Sequence, residues 1–118
     1  MRKEYEQEGR ETTQNEKACL VIMPVFDSPP YEVGHFKRVY DYIIKPACLK
    51  AGFVPNKIED IQRANHIVIS KLKQVVSAEI AICDLSSKNA EVLYNLGVRQ
   101  GFDLPTLIIK DILTHKTN

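Results

Sequence analysis

The sequence predicts an α/β fold: a parallel sheet with helices on both faces. Three observations carry that expectation. Short apolar runs, among them "CLVIM" and "IAIC", read as strands buried on both sides. Longer segments between them repeat apolar residues at spacings of three and four, as amphipathic helices do. The two patterns alternate strictly: strand, helix, strand, helix, strand, helix, strand. Such alternation argues for parallel strands joined by helical crossovers. Right-handed crossovers leave few topologies, and the order 2-1-3-4 is the one expected.

Each element follows from its residues. The first sixteen residues hold five Glu against three basic residues and one aromatic, Tyr5. They are too polar to help a core and are expected to be a mobile tail, a fraying helix or a linker, with the domain spanning residues 17–118. "KACLVIMP" is the first strand, ended by Pro24, and "VFDSPPYEVG" is a loop rich in turn formers. A helix follows, with Phe36, Val39, Tyr40, Ile43, Ile44, Ala47 and Ala51 on its apolar stripe and Gly52 as its stop. Pro46 lies inside it and is expected to kink the last turn. "FVPNKI" reads as a short strand placed at an edge by Pro55.

The segment "IEDIQRANHIVISKLKQVVSA" carries two signals. Ile61, Ala64, Val68, Leu72, Val75 and Val76 fit a helix, whereas "HIVIS" alone alternates like a strand. Helix is the expectation because the spacing persists past Ser70. "AEIAICDL" is then a buried strand, and "NAEVLYNLGVRQGF" a helix burying Val92, Leu93 and Leu96. "LPTLIIKD" is the last strand. Gly97 inside a helix costs about 1 kcal/mol relative to alanine, and a close approach to the sheet or a ligand would explain it.

Composition narrows the function classes. The 118 residues are 44% hydrophobic and 26% charged, ordinary for one globular domain. Sixteen basic against fifteen acidic residues give a net charge of +1, so neither a nucleic-acid surface nor a polybasic membrane contact is indicated. No apolar run approaches a membrane span, and the polar start lacks the apolar stretch of a signal peptide, so a cytoplasmic protein is expected. Cys19, Cys48 and Cys83 lie in apolar runs without a CxxC pair and read as buried free thiols. His35, His66 and His115 show no metal-ligand spacing, and no metal or cofactor is expected.

Ligands of open α/β sheets bind beyond the carboxyl ends of the strands, where the winding reverses. Here that point lies between the first and third strands. It presents Met23, Pro24 and the loop to Ser28 on one side, and Asp84 to Asn89 on the other. Asp84, at a strand end, is either a turn former or a ligand for a sugar hydroxyl. Ser86, Ser87 and Asn89 are good helix N-cap types, and the helix start they border suits an anion. Neither GxGxxG nor GxxxxGK[ST] occurs, which disfavours the familiar dinucleotide and P-loop sites. Glu91 is in the first helical turn, where a negative charge is favoured anyway, and Asn95 lies one turn later on the same face. Phe26, Tyr31 and His35 are candidate lid groups or local packing.

Three stretches in order, "CLVIMPVFD", "HFKRVYDYIIKPACLKAGF" and "AEIAICDLSSKNAEVLYNLGVRQGFDLPTLIIKD", resemble a bacterial family related to nucleoside 2-deoxyribosyltransferases and TIR-like domains. The resemblance implies a flavodoxin-like or Rossmann-like sheet and a nucleoside, nucleotide or NAD-like ligand. It also implies an N-glycosidic bond held near the helix after the third strand. In active relatives a Glu on that helix attacks or stabilises the anomeric carbon, and an acid at the strand end positions the sugar and base. Asp84 matches the strand-end acid. The usual "YELG" reads Tyr94, Asn95, Leu96, Gly97 here, so Asn95 occupies the slot of the catalytic Glu.

A neutral carboxamide is a poor nucleophile and supplies no full charge to an oxocarbenium-like centre. The expected function is therefore a nucleoside- or nucleotide-binding domain with weak or lost N-glycosidic chemistry. Its expected site comprises Asp84, Glu91 and Asn95 at the reacting end, with Met23, Pro24, Ser86 and Asn89 holding the ligand. Two alternatives stay open. One is an active N-glycosidase, deoxyribosyltransferase or TIR-like NAD hydrolase working through Glu91 or Asp84. The other is a TIR-like self-association module, for which a homo-oligomer would be the working form. The relatives continue with a further helix and strand; a truncated chain, or a domain cut from a longer protein, would leave the last strand exposed or completed by a partner.

Overall fold

The computed structural model describes residues 17–58 and 67–113. Its centre is a four-stranded sheet in the order β2-β1-β3-β4, with every pairing parallel. The strands are β1 (Lys17–Ile22), β2 (Phe53–Lys57), β3 (Ile80–Asp84) and β4 (Thr106–Ile109). Helices α1 (His35–Val39) and α2 (Lys45–Lys50) connect β1 to β2, α3 (Ile67–Ser77) precedes β3, and α4 (Ala90–Gly101) connects β3 to β4. This is the α/β architecture and strand order that the alternation predicted. Of the third predicted helix, the part at residues 59–66, including Ile61 and Ala64, lies outside the described residues.

The continuous apolar run of β1 is explained by two cores, one on each face of the sheet. Leu20 and Ile22 join Ala81 and Cys83 of β3 beneath Val75 of α3 and Val92 and Leu96 of α4. Cys19 and Val21, pointing the other way, pack with Ile44 and Cys48. Alternating side chains of a central strand thus both need to be apolar. The edge strand β2 tolerates Pro55, which stands opposite Cys19 in the register. At the other edge, Leu107, Ile108 and Ile109 of β4 are each more than a third exposed.

Three local expectations are corrected. The chain does not simply kink at Pro46; a π-helical stretch, Tyr40–Ile44, links α1 to α2, and the Lys45 N–H reaches back to the Tyr40 carbonyl. Pro46 has no N–H to offer and its ring crowds the preceding turn, which the wider π turn accommodates while the helix continues. Leu93 is 43% exposed, because the inward stripe of α4 runs through Val92, Asn95, Leu96 and Arg99 instead. Gly97 faces open space, since a Cβ added there would meet nothing within 4 Å. No close approach of the helix requires it. Among the described residues no helix is long and apolar enough to cross a membrane.

Candidate functional site

A cavity of about 410 Å³ opens at the carboxyl edge of the sheet, within the size range of small-molecule sites. Its floor comes from the end of β1, through Ile22, Met23 and Pro24. Lys57 and Ile58 at the end of β2 form one side, and Lys71 of α3 another. The first turns of α4 close it with Asn89, Glu91, Val92 and Asn95. Asp27, Phe36 and Lys37 come from the loop after β1 and from α1.

Local sequence explains how these groups are held. Asn89 caps α4, its side-chain oxygen accepting from the Val92 N–H at 3.1 Å. Ser87 and Lys88, just before it, both adopt left-handed backbone conformations with φ of 66° and 53°. That costly pair turns the chain from β3 into α4. Asp27 anchors α1: its two carboxylate oxygens accept from Gly34 N–H at 2.8 Å and Phe36 N–H at 3.0 Å. Those two backbone donors, Phe36 first, hold its pKa below the ordinary carboxylate value. Gly34 takes φ 85°, a left-handed conformation suited to glycine at this loop-to-helix junction.

The residues singled out by sequence separate into two groups. Met23, Pro24, Asn89, Glu91 and Asn95 meet around the cavity. Asp84 and Ser86 do not line it. Asp84 is buried, and its carboxylate accepts from the Ser86 N–H at 2.9 Å. Ser86 Oγ in turn accepts from the Asp111 N–H at 3.0 Å, tying the turn after β3 to the chain beyond β4. Of the candidate lid groups, Phe26 borders the cavity and is 83% exposed. Tyr31 is buried, its ring centroid 4.7 Å from that of His35 and 5.0 Å from that of Phe36.

Asn95 is the distinctive group. It is 5% exposed, it lines the cavity, and its carboxamide has no hydrogen bond among the described residues. The residue is buried, but its amide is not among the polar atoms sealed from solvent without a partner, so it opens on the cavity, where a ligand can bond it. Glu91, one turn earlier, stands at the more open part and pairs with Lys71 Nζ at 3.2 Å.

Sequence reasoning covered Asp27 only as part of the loop to Ser28, and it missed Lys57 and Lys71 in this lining. Lys57 ends β2 as Asp84 ends β3, and the strand-end rule applied to Asp84 would have flagged it. Lys71 had no such signal, because only the packing of α3 against α4 brings it to Glu91. Among the described residues no group of three or more His, Cys, Asp or Glu is arranged to hold a metal. No protein-family model matches the chain, and no curated protein matches it.

Proposed function

We propose that the chain is a nucleoside- or nucleotide-binding domain, akin to nucleoside 2-deoxyribosyltransferases and TIR-like domains, in which N-glycosidic bond chemistry is weak or lost. Asn95 carries the reading. It combines burial, an unpaired carboxamide and a place in a cavity at the carboxyl edge of a parallel sheet. An amide there can donate to and accept from a sugar or base, which favours binding. It cannot add to an anomeric carbon and leave again as a carboxylate does.

The test is calorimetric titration with a panel of nucleosides and nucleotides, followed by chromatography for free base. The wild-type chain should bind at least one of them and release little base. Asn95→Glu should raise base release while keeping affinity within about tenfold, roughly 1.4 kcal/mol. Absence of binding across the panel would refute the proposal.

Glu91 favours a second reading, an active glycosidase, because its residue also borders the cavity. Its carboxylate is ion-paired with Lys71 and its side chain is 56% exposed, a setting that suits a surface charge better than a shielded nucleophile. Rapid base release by the wild type, abolished in Glu91→Gln, would establish the second reading over the first.

A further inference from the structure

The cations around the cavity are not equivalent. Lys37 is paired with Asp41 at 2.6 Å, and Lys71 with Glu91 at 3.2 Å. Asp27, the other acid of the lining, is held by two backbone N–H groups. Lys57 differs: its ammonium lies 4.8 Å from the centroid of the Tyr40 ring, no carboxylate of the described residues is within ion-pair distance, and Asp41, the partner of Lys37, feels it only at longer range. An aromatic face positions an ammonium without neutralising it.

Depth sorts the lining further. The buried members, Val21, Ile22, Pro24, Phe36, Val92 and Asn95, are uncharged. Lys37 and Lys57 are exposed, so the positive charge sits towards solvent. The first turn of the twelve-residue helix α4 borders the same space with the positive end of its dipole. Such a site fits a molecule with an uncharged inner part and an anionic outer end.

We infer that the ligand is a phosphorylated nucleoside, its base and sugar reaching the buried Asn95 and its phosphate held at the rim by Lys57, with Lys71 and Lys37 adding to the field. This rests on the nucleoside reading above and narrows it. A phosphate dianion suits an ammonium as a point charge, and a charge-assisted hydrogen bond to it is stronger than one to a neutral hydroxyl.

The experiment is calorimetric titration of the full chain with 2′-deoxynucleosides, their 5′-monophosphates and inorganic phosphate, each at low and high salt. A monophosphate should bind about tenfold or more tightly than its parent nucleoside, with the advantage shrinking as salt rises. Lys57→Gln should bring the monophosphate down to the affinity of the nucleoside, and Lys57→Arg should restore most of the difference. Lys57 is exposed on an edge strand, so circular dichroism should show both variants folded. Lys50→Gln, on an exposed part of α2 away from the cavity, should keep the preference.

Equal affinity for nucleoside and monophosphate would overturn the phosphate inference and leave the nucleoside reading standing. A preference that survives Lys57→Gln would overturn it equally. Inorganic phosphate bound as tightly as the monophosphates would mean that the nucleoside part contributes nothing, and the inference would fall. No binding of any nucleoside or monophosphate would defeat both readings.

Discussion

Arg99 gives the sharpest test of how the cavity walls are held. Its side chain is wholly buried, with no carboxylate ion-paired to it among the described residues. It donates instead to carbonyls: Nη1 to Val75 at 2.9 Å and to Ala78 at 2.6 Å, and Nη2 to Pro105. Nε donates to Thr106 Oγ1 at 3.1 Å. Val75 lies in the last turn of α3 and Ala78 just beyond it, so the guanidinium caps the negative end of that helix dipole. One side chain on α4 thereby ties down the end of α3 and the start of β4. Burial pushes the Arg99 pKa down from its ordinary value, yet an arginine stays charged in such a setting.

Arg99→Met keeps the length and the apolar stem but removes every donor. Replacing buried charge with a hydrophobe is often harmless when both partners of an ion pair go together. Here three carbonyls lose a donor, although that of Pro105 keeps the Ala81 N–H at 3.2 Å. An unsatisfied buried polar group costs about 1–3 kcal/mol; the Val75 and Ala78 carbonyls bear most of it, and the second is only part-buried, so a total of about 3 kcal/mol is expected. That is a large share of the roughly 5–15 kcal/mol that holds a domain together, and corresponds to a fall in Tm of about 10–15 °C. Urea unfolding followed by circular dichroism should show a lower midpoint with an unchanged slope. Arg99→Lys, which keeps the charge but reaches fewer carbonyls, should fall between. A loss below about 1 kcal/mol in Arg99→Met would refute the argument that the carbonyls depend on this donor. Because α3 carries Lys71 and α4 carries Asn95, ligand affinity should weaken along with stability.

Further expectations concern single groups. Gly97→Ala should stabilise the chain by about 1 kcal/mol in the same assay, since the position is helical, exposed and open to a methyl group. Asp27→Asn should lower Tm above about pH 4, where the wild-type carboxylate is charged in both the folded and unfolded chain. Its folded pKa is depressed, so the wild-type advantage is lost as pH falls through that lower value, and the two Tm curves should converge in acid. Burial, and for Cys19 the neighbouring Cys48 thiol, pushes Cys19 up to about 12, while burial pushes Cys83 up to about 11. At pH 8 both should react with a disulfide reagent at least about a hundredfold more slowly in the folded chain than after unfolding, and rapid modification without unfolding would contradict their burial.

By itself the sequence determined the α/β class and the parallel order 2-1-3-4. Those features depend on local periodicity and on the handedness of crossovers, which a single chain displays without knowledge of its partners. The edge position of β2 followed from Pro55, and the start of α4 from Asn89, because each is a backbone requirement written in one residue. Leu93 and Arg99 went the other way. The helical pattern allows a wide apolar stripe, and only the packing of α4 on the sheet decides that Arg99 turns inward and Leu93 outward. At the site, strand ends pointed to Met23, Pro24 and Asp84 alike. Tertiary structure alone separated them, since Asp84 is engaged by the Ser86 N–H in the turn after β3 while Met23 and Pro24 face the cavity. Lys71 was silent in sequence because a helical lysine looks the same whichever way it faces, and Lys57 was legible only as the residue that ends a strand. Their meeting across α3, α4 and the end of β2 is a product of long-range packing, and no local pattern encodes it.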